Sequence, residues 1–476
     1  MNRITGVSSR ISRFSCISGF HARGRGVMES KTLLFIVTAT FITALALPAQ
    51  LAAQQSQYKL NDIGTLGGAA SYINPNQQPP NYTVTDLGTL GGTSGSANGV
   101  NNSGSVVGFG NLPGDTEHHA FLWSKGIKSD LGTLGGPNSS AASINERGEV
   151  VGSAETSTPD PLGEDFCGNG TNLICLPFLW QDGRMVPLST LGGNNGFGVG
   201  INSRGQVVGD VENTTPDPTC DPSITPQVLQ IKPVIWRNGN IQELPTIGGD
   251  PDGSVFAIND NGQAVGITGD CTSTFHAVLW NKGTPTDLGT LRGSLLFPSD
   301  INNRGQIVGF AVSSDGTFLA FLWQNGVATE LGTLPPDVFS LALGINDNGQ
   351  IVGDSCDMDF DCRAFLWQDG TMTELNGLVH DPNAPFLEQA FSINSRGQIA
   401  GSTTVQGTPQ SSAYLATPRD KDRDTDGEAM SENAVPTITT KTSPKSKVVS
   451  PEDVRRALRQ RLGSRYHIPD FGAPRN

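Results

Sequence analysis

The decapeptide GINSRGQVVG at residues 200–209 is the strongest indication of fold in this chain, because close variants of it recur along the sequence. Each copy contains an Asn, a Gly three residues later and a short apolar run. The Asn recurs at steps of 44, 57, 57, 43, 44 and 48 residues, so the basic unit is about 44 residues long. Repeats of this length are typical of β-propeller blades, and the two long steps predict insertions. The seven copies begin at residues 99, 143, 200, 257, 300, 344 and 392.

Two further motifs accompany each copy. One is represented by DLGTLGG at residues 86–92 and the other by HAFLW at residues 119–123. The HAFLW-type segment is separated from the next DLG-type segment by X-Gly, as at Lys125-Gly126, which suits a tight hairpin turn with positive φ. The segment ending in Ile-Asn and the segment GQVVG form a second hairpin across N-x-x-G. Each unit is therefore predicted to contain four strands.

The ends of the repeat region favour a closed ring over an open β-solenoid. The region opens with an unpaired second-type strand, YTVTDLG at 82–88, and closes with an unpaired first-type strand, AYLA at 413–416. Joining them would complete one blade and hide the last sheet edge. A partial copy at 58–68 competes for the same position. The fold class predicted is all-β: a propeller of seven four-stranded blades closed by the N- and C-terminal strands.

The N-terminus has the pattern of a secretory signal. An apolar run of fifteen residues at 33–47 follows a basic stretch and precedes small residues, with cleavage expected between Ala46 and Gln54. The run is shorter than the ~20 residues that span a bilayer, so we expect membrane contact only through an uncleaved signal segment. Either Met1 or Met28 is the start. The expected location is secreted, extracellular or at the cell surface.

Six cysteines remain after the signal, and an even number in an exported chain predicts disulfides. All six lie in the segment between a GQVVG strand and the following FLW strand. The same segment contains both long insertions, at 153–176 and 210–232. In a ring these segments emerge on one face, which marks it as the candidate binding face. Fifteen connectivities are possible. Proximity favours Cys167 with Cys175, Cys356 with Cys362, and hence Cys220 with Cys271.

The chain beyond the repeats is polar. Asp422, Asp424 and Asp426 match the first half of a calcium loop, with Glu432 one place before the usual final ligand; the alternative is a solvated acidic run. Calcium is the only cofactor that the sequence indicates. A Ser-Pro-Glu-Asp start predicts a short basic helix. The predicted organisation is a signal region at 1–53, a lead-in with the partial repeat at 54–81, the propeller at 82–416, a disordered linker at 417–449, the helix at 450–464 and a tail at 465–476.

Aromatic residues recur at one position of the repeat, where we expect them to fill space between blades and not to form an exposed sugar-stacking platform. Likewise, the recurring Asn and Gly are interpreted as turn residues. No nucleophile-elbow, zinc-protease, phosphate-loop or dinucleotide motif occurs, so no catalytic residue is predicted. The recurring tryptophans are Trp123, Trp180, Trp236, Trp280, Trp323 and Trp367.

Charge narrows the choice of partner. The chain has a net charge of −14, and residues 54–416 contain 13 Lys/Arg against 35 Asp/Glu. A surface of that sign repels phosphate backbones, so nucleic acid is excluded as an expected partner.

The combination of HAF at 119–121 with DLGTLGG and GIN-x-x-GQVVG resembles the HAF repeat family of exported bacterial proteins, over about residues 59–416. That resemblance implies an extracellular bacterial setting but no defined general activity. Only the copies at His119 and His276 begin with His, which argues against a shared catalytic His. We expect a monomeric, non-catalytic module that binds a glycan or a surface protein. The alternatives are a propeller lyase or hydrolase acting on polysaccharide, with acids facing the channel, and a passive surface scaffold.

Overall fold

The computed structural model describes residues 79–220, 227–271, 275–312, 317–404 and 410–419. These residues form seven antiparallel sheets, which confirms the seven-bladed propeller. The first strand, β1 (Tyr82–Gly88), belongs to the last blade. Blade 1 contains β2 (Gly95–Val100), β3 (Val106–Asn111), β4 (His118–Ser124) and β5 (Ile127–Asp130). Blade 2 contains β6 (Gly135–Ile144), β7 (Val150–Pro159), β8 (Leu173–Gln181) and β9 (Arg184–Pro187). Blade 3 contains β10 (Gly196–Ile201), β11 (Val207–Pro216), β12 (Leu229–Arg237) and β13 (Asn240–Glu243).

The remaining blades follow in chain order. Blade 4 contains β14 (Asp252–Ile258), β15 (Gln263–Gly269), β16 (Phe275–Asn281) and β17 (Thr284–Asp287). Blade 5 contains β18 (Thr290–Leu291), β19 (Ser294–Ile301), β20 (Ile307–Val312), β21 (Phe318–Gln324) and β22 (Val327–Glu330). Blade 6 contains β23 (Phe339–Ile345), β24 (Ile351–Cys356), β25 (Cys362–Gln368) and β26 (Thr371–Glu374). Blade 7 contains β27 (Phe386–Ile393), β28 (Ile399–Thr404), β29 (Ser411–Pro418) and then β1.

Blade 7 closes the ring in the predicted way. Its outermost strand β1 comes from the start of the repeat region and pairs antiparallel with β29, so that Tyr82 lies opposite Pro418. The Tyr82 side chain is fully buried, and its hydroxyl donates to the carbonyl of Gly397 at 3.2 Å. The copy at 82–88 therefore occupies the closing position. The competing copy at 58–68, the signal region, the linker beyond 419 and the C-terminal helix lie outside the described residues.

Three details differ from the repeat pattern. Blade 5 has a fifth strand, because the two-residue β18 pairs with β19. A 3-10 helix, Leu375–Leu378, follows β26 where the sequence departs from DLGTLGG. Strand β29 extends to Pro418, two residues past the boundary drawn at 416, because Thr417 and Pro418 still pair with β1.

Local sequence explains the strand ends. At the outer hairpin of blade 1, Lys125 and Gly126 both have positive φ, 51° and 83°, as a two-residue hairpin turn of this hand requires. The Gly that ends GQVVG serves close approach: a Cβ on Gly209 would lie 1.9 Å from the carbonyl oxygen of Phe197 on β10. That position therefore excludes every other residue, since a real Cβ contact cannot be so short.

Hydrophobic side chains pack mainly between neighbouring blades. Trp236 and Trp280 are almost fully buried, and their indole N–H groups donate to the carbonyls of Ser189 and Pro245 at 2.9 and 2.8 Å. The other four tryptophans are half-buried and pack against the same kind of cluster. Within the described residues, no helix has the length and apolar character needed to cross a membrane.

Candidate functional site

The propeller has two faces of different construction. One, called here the turn face, carries the N-x-x-G turns and the X-Gly hairpins. The other, called here the loop face, carries the connections from GQVVG-type to FLW-type strands, as between β7 and β8, and those between blades. The alternation of antiparallel strands places each kind of connection at one end of the blades. Both faces therefore have to be considered as sites.

On the turn face the recurring Asn does more than close its own turn. Asn202 Oδ1 accepts the backbone N–H groups of Arg204 and Gln206 at 3.1 and 3.0 Å. Its Nδ2 also donates to the carbonyl of Asn259 in the next blade at 3.0 Å. Equivalent bonds of 2.8 to 3.1 Å join all seven blades, and the last runs from Asn394 to Asn101. The Asn residues thus form a closed hydrogen-bonded ring around the channel.

The channel mouth inside this ring is a cavity of about 240 Å³. Its walls are six of the seven ring Asn residues, the Ile or Val that precedes each ring Asn and the residue that follows it. Three of these last residues are acidic: Glu146, Asp260 and Asp347. Each accepts a backbone N–H from the preceding blade, as Asp260 does from Ser203 at 2.8 Å. No His, Lys or Arg is among the described residues lining the mouth. The polar lining of the mouth is therefore made of turn amides and three carboxylates, each of which accepts a backbone N–H.

The loop face carries three disulfides, joined as the spacing predicts. Cys167–Cys175 closes the insertion of blade 2, and Cys356–Cys362 joins the ends of β24 and β25. Cys220–Cys271 connects the corresponding segments of blades 3 and 4. All three bridges lie on the loop face. They join residues in the connections that differ most between blades.

The inner part of the loop face is aromatic. Half-buried Phe197, Phe275 and Phe360 pack against a buried cluster that includes Phe297 and Phe339. Phe360 stacks on Phe339 with a centroid distance of 5.3 Å, and Phe275 meets the edge of Phe297 at 6.3 Å. Val312 and Met358 complete the partly exposed set, called here the aromatic patch. Partly exposed aromatic rings suit contacts with the apolar faces of sugars or with apolar side chains.

Blades 2 to 4 also contain buried acids towards the loop face. Glu155 accepts hydrogen bonds from the amides of Asn138 and Asn169 and from the hydroxyl of Thr171, at 2.6 to 2.9 Å. This carboxylate is fully satisfied by neutral donors. Glu155 thereby ties the blade-2 insertion to its own sheet, a structural role.

Two carboxyl pairs are satisfied less completely. Glu164 faces Glu212, and burial together with that neighbour raises the pKa of Glu212 to about 8. Asp217 faces Asp252, and burial followed by Asp217 raises the pKa of Asp252 to about 9. In each pair one acid lies in an insertion and the other in the following blade. Glu164 of the blade-2 insertion meets Glu212 on β11, and Asp217 of the blade-3 insertion meets Asp252 on β14. Both pairs are buried, and burial beside a second carboxyl favours the protonated form of Glu212 and of Asp252.

The two HAF-type histidines lie away from the channel. His119 contacts Asp130 of β5 at 2.8 Å, and His276 contacts Asp250 at 3.1 Å. They belong to blades 1 and 4 and are not brought together by the fold. The arrangement gives no shared catalytic centre.

The remaining predicted site residues are placed as follows. Asp422, Asp424, Asp426 and Glu432 lie outside the described residues, so the calcium prediction stays a prediction. The sequence reasoning missed the aromatic patch and the carboxyl pairs. One signal was present: Thr-Pro-Asp-Pro occurs in both insertions, at 158–161 and 215–218, and so placed Asp160 and Asp217 at matching positions.

No family model matches this chain, and no curated protein sequence does. Solved structures with a similar fold exist. The propeller domain of the Trilobed protease from Pyrococcus furiosus is 10% identical, with 60% of this chain and 84% of that chain covered and a TM-score of 0.41. A puromycin-hydrolyzing peptidase from Mycobacterium tuberculosis is 11% identical, with 72% and 55% covered and a TM-score of 0.44.

A gluconolactonase from Xanthomonas campestris is 8% identical, with 74% of this chain and 99% of that chain covered and a TM-score of 0.35. This chain spans about half the length of the puromycin-hydrolysing and prolyl peptidases that it matches. At these identities the likeness concerns the fold alone, and the resemblance to HAF repeat proteins stays a prediction. The chain is a seven-bladed β-propeller.

Proposed function

We propose that this protein is an exported, non-catalytic propeller whose loop face binds a glycan outside the bacterial cell. Export is supported by the signal-like N-terminus and by three disulfides, which persist in oxidising compartments. The HAF-type repeats support the same setting.

One observation carries the choice of face and ligand. The aromatic patch lies on the loop face, where the disulfide-held insertions are found, whereas the turn face consists of near-identical turns whose Asn side chains are all engaged in the ring. Aromatic rings bind the apolar faces of sugars, and surrounding polar loops provide hydrogen bonds. The chemistry available at this patch is therefore recognition.

The test is binding of the mature chain to a panel of extracellular polysaccharides, with mass analysis of retained and released sugar. We expect intact glycan to be retained. Phe360→Ala should weaken retention by at least about tenfold, because it removes the most peripheral ring of the stack. Ile127→Thr on the turn face is the matched control, since Ile127 is 70% exposed and far along the strand from the loop face; it should leave retention unchanged.

Other outcomes point elsewhere. Shortened or unsaturated fragments would show an enzyme and overturn the proposal. Absence of retention would contradict glycan binding and shift the search to a surface protein or a scaffold role. Equal loss with both variants would contradict the assignment of the face, provided that thermal melting shows both variants folded.

A further inference from the structure

Equivalent positions at two blade junctions carry different side chains. Asn195 and Asp252 both lie seven residues before a ring Asn, at the loop-face end of the innermost strands of blades 3 and 4. Both use Oδ1 in the same way: Asn195 accepts the N–H of Cys175 at 3.0 Å, and Asp252 accepts that of Ile231 at 2.8 Å. The two junctions thus share one backbone arrangement.

The second side-chain atom distinguishes them. Asn195 Nδ2 donates to Asp160 Oδ2 at 2.9 Å, an ordinary amide–carboxylate hydrogen bond. Asp252 instead faces Asp217, which follows Thr-Pro in its insertion as Asp160 does in the other. Asp217 Oδ2 is buried and receives no hydrogen bond. Two carboxylate oxygens can bond only if one carries a proton, so the junction of blades 3 and 4 requires a proton where its counterpart has an amide.

We propose that Asp217 and Asp252 form a one-proton latch: a shared proton ties residues 217–220 to the start of β14, and loss of the proton releases this segment of the loop face. The inference goes beyond the proposed function, because the latch belongs to the fold and operates without a ligand.

Among the described residues, no positively charged side chain forms a salt bridge with Asp217 or Asp252, so a proton is the positive charge that can hold the two carboxyls together. The amide of Gln227 donates to Asp252 Oδ1, and the Cys220–Cys271 disulfide lies within 4.8 Å of both carboxyl groups. Lys232 on β12 donates its ammonium to the carbonyl of Pro251.

Other titratable groups near β14 are engaged elsewhere. Asp250 accepts from the Thr268 hydroxyl and contacts His276. Neither group is bonded to the latch. A second acid pair lies at the junction of blades 2 and 3: Glu212 Oε1 and Glu164 Oε2 are both buried without a hydrogen bond, and Glu164 lies in the blade-2 insertion. The amide of Asn195 also donates to Glu212 Oε2 at 3.2 Å, so the amide and the second acid pair belong to the same junction.

The latch has a definite pH dependence. Closed, Asp252 holds a proton up to about pH 9; released, it ionises near its ordinary pKa of about 4. Between these limits the closed state contains one proton more than the released state. Release therefore becomes about tenfold more favourable for each unit rise in pH.

The experiment measures reduction of Cys220–Cys271 by a water-soluble phosphine in the full mature chain, followed by alkylation and peptide mapping. Asp252→Asn is the matched variant, because the introduced amide can donate to Asp217 as Asn195 donates to Asp160 and needs no proton. The ratio of wild-type to variant rate should rise up to about a hundredfold from pH 6 to pH 8. The ratio cancels the reagent's own pH dependence, and the ratio at Cys356–Cys362 should stay constant.

Two results would overturn the latch. One is a ratio that does not change with pH. The other is strong retardation of wild-type reduction by added Ca²⁺ that a chelator reverses, since a metal ion and not a proton would then hold the pair. Asp217→Asn, which leaves Asp252 able to accept an amide hydrogen bond, gives the same comparison if Asp252→Asn does not fold. Failure of glycan binding leaves this test unaffected.

Discussion

The turn face and the loop face are built from the same seven repeats, yet they differ in what their side chains do. On the turn face every Asn makes the same bonds, and the chain of contacts closes from Asn394 to Asn101. On the loop face the connections differ in length, three disulfides hold some of them, and one buried acid, Asp252, stands where the neighbouring junction has the amide of Asn195. Repetition therefore maintains the ring on one side, and divergence is concentrated on the other.

This contrast explains where function is expected. Changing one member of a cyclic hydrogen-bonded ring leaves buried donors and acceptors unpaired in two blades, so that position tolerates little variation. A loop leaving the end of a blade affects mainly its own contacts, so insertions are accommodated there. The predictions below test this division, beginning with the largest expected effect.

Removing the bridge between blades on the loop face should be the most destabilising change. Cys220 and Cys271 are 51 residues apart, and cross-linking a loop of that length contributes about 4 kcal/mol by the chain-entropy relation. The double Ser variant should lower the free energy of unfolding by that order, measured by denaturant titration. The matched control, Cys356 and Cys362 replaced by Ser, closes only 6 residues and should lose about 2 kcal/mol. Equal losses would contradict the argument from loop length.

Breaking the ring on the turn face should be nearly as costly. Asn202→Ala removes the acceptor for two backbone N–H groups and the donor to Asn259, which we expect to lower stability by about 3 kcal/mol. Chemical denaturation measures it. Ser203→Ala next to it loses a single 3.2 Å contact to Asp260 and should change stability by less than about 1 kcal/mol. A small effect of Asn202→Ala would mean that the ring is not a determinant of stability.

Replacing the acid–acid contact between Glu164 and Glu212 should alter the pH profile. The folded-state pKa of Glu212, about 8, lies above its ordinary value of 4.5, so the folded state holds a proton that the unfolded state lacks between these values. Stability from this group is fully present below pH 4.5 and is lost as pH rises towards 8, with a slope of up to about 1.4 kcal/mol per pH unit.

Glu212→Gln can donate an amide hydrogen bond to Glu164 and should flatten that slope. Thermal melting between about pH 5 and pH 9 measures it, with Glu149→Gln on the turn face as the comparison because Glu149 is paired with Arg147 at 2.6 Å. Parallel profiles for wild type and Glu212→Gln would show that the pair does not titrate in this range.

The smallest effect is expected at the hairpin tips of the turn face. Ile127 and Val327 are 70% and 63% exposed, so replacement by Thr should change the free energy of unfolding by no more than about 0.5 kcal/mol. Denaturant titration of the two variants provides the measurement. A loss above about 1.5 kcal/mol would indicate that these side chains are covered in solution, for example by a partner on the turn face.

The architecture could be predicted in detail because the same three sequence motifs recur in each blade. The spacing of the Asn indicated the number of blades, the X-Gly pairs located the outer hairpins, and the unpaired end segments identified β1 and β29 as partners. The pairing of Cys167 with Cys175 followed from proximity, and the Cys220–Cys271 bridge followed by elimination. The boundary at 416 was two residues short, because pairing with β1 continues through Pro418.

The candidate site was less accessible to sequence reasoning. Phe197, Phe275 and Phe360 come from three blades and occupy no common position in the repeat, so no pattern connects them. Asp217 and Asp252 are separated by 35 residues and look like ordinary exposed acids until the fold buries them. The carboxyl pairs depend on which side chains of neighbouring blades meet.

The blade count, the turns and the order of strands follow from the sequence alone, because those properties are local and recur with a regular period. The bonding of the recurring Asn residues from blade to blade, the assembly of the aromatic patch on the loop face and the contact between the two pairs of buried carboxyls depend on the folded structure. Those properties arise between blades, where residues distant in sequence are brought together and burial changes their hydrogen bonding and their pKa.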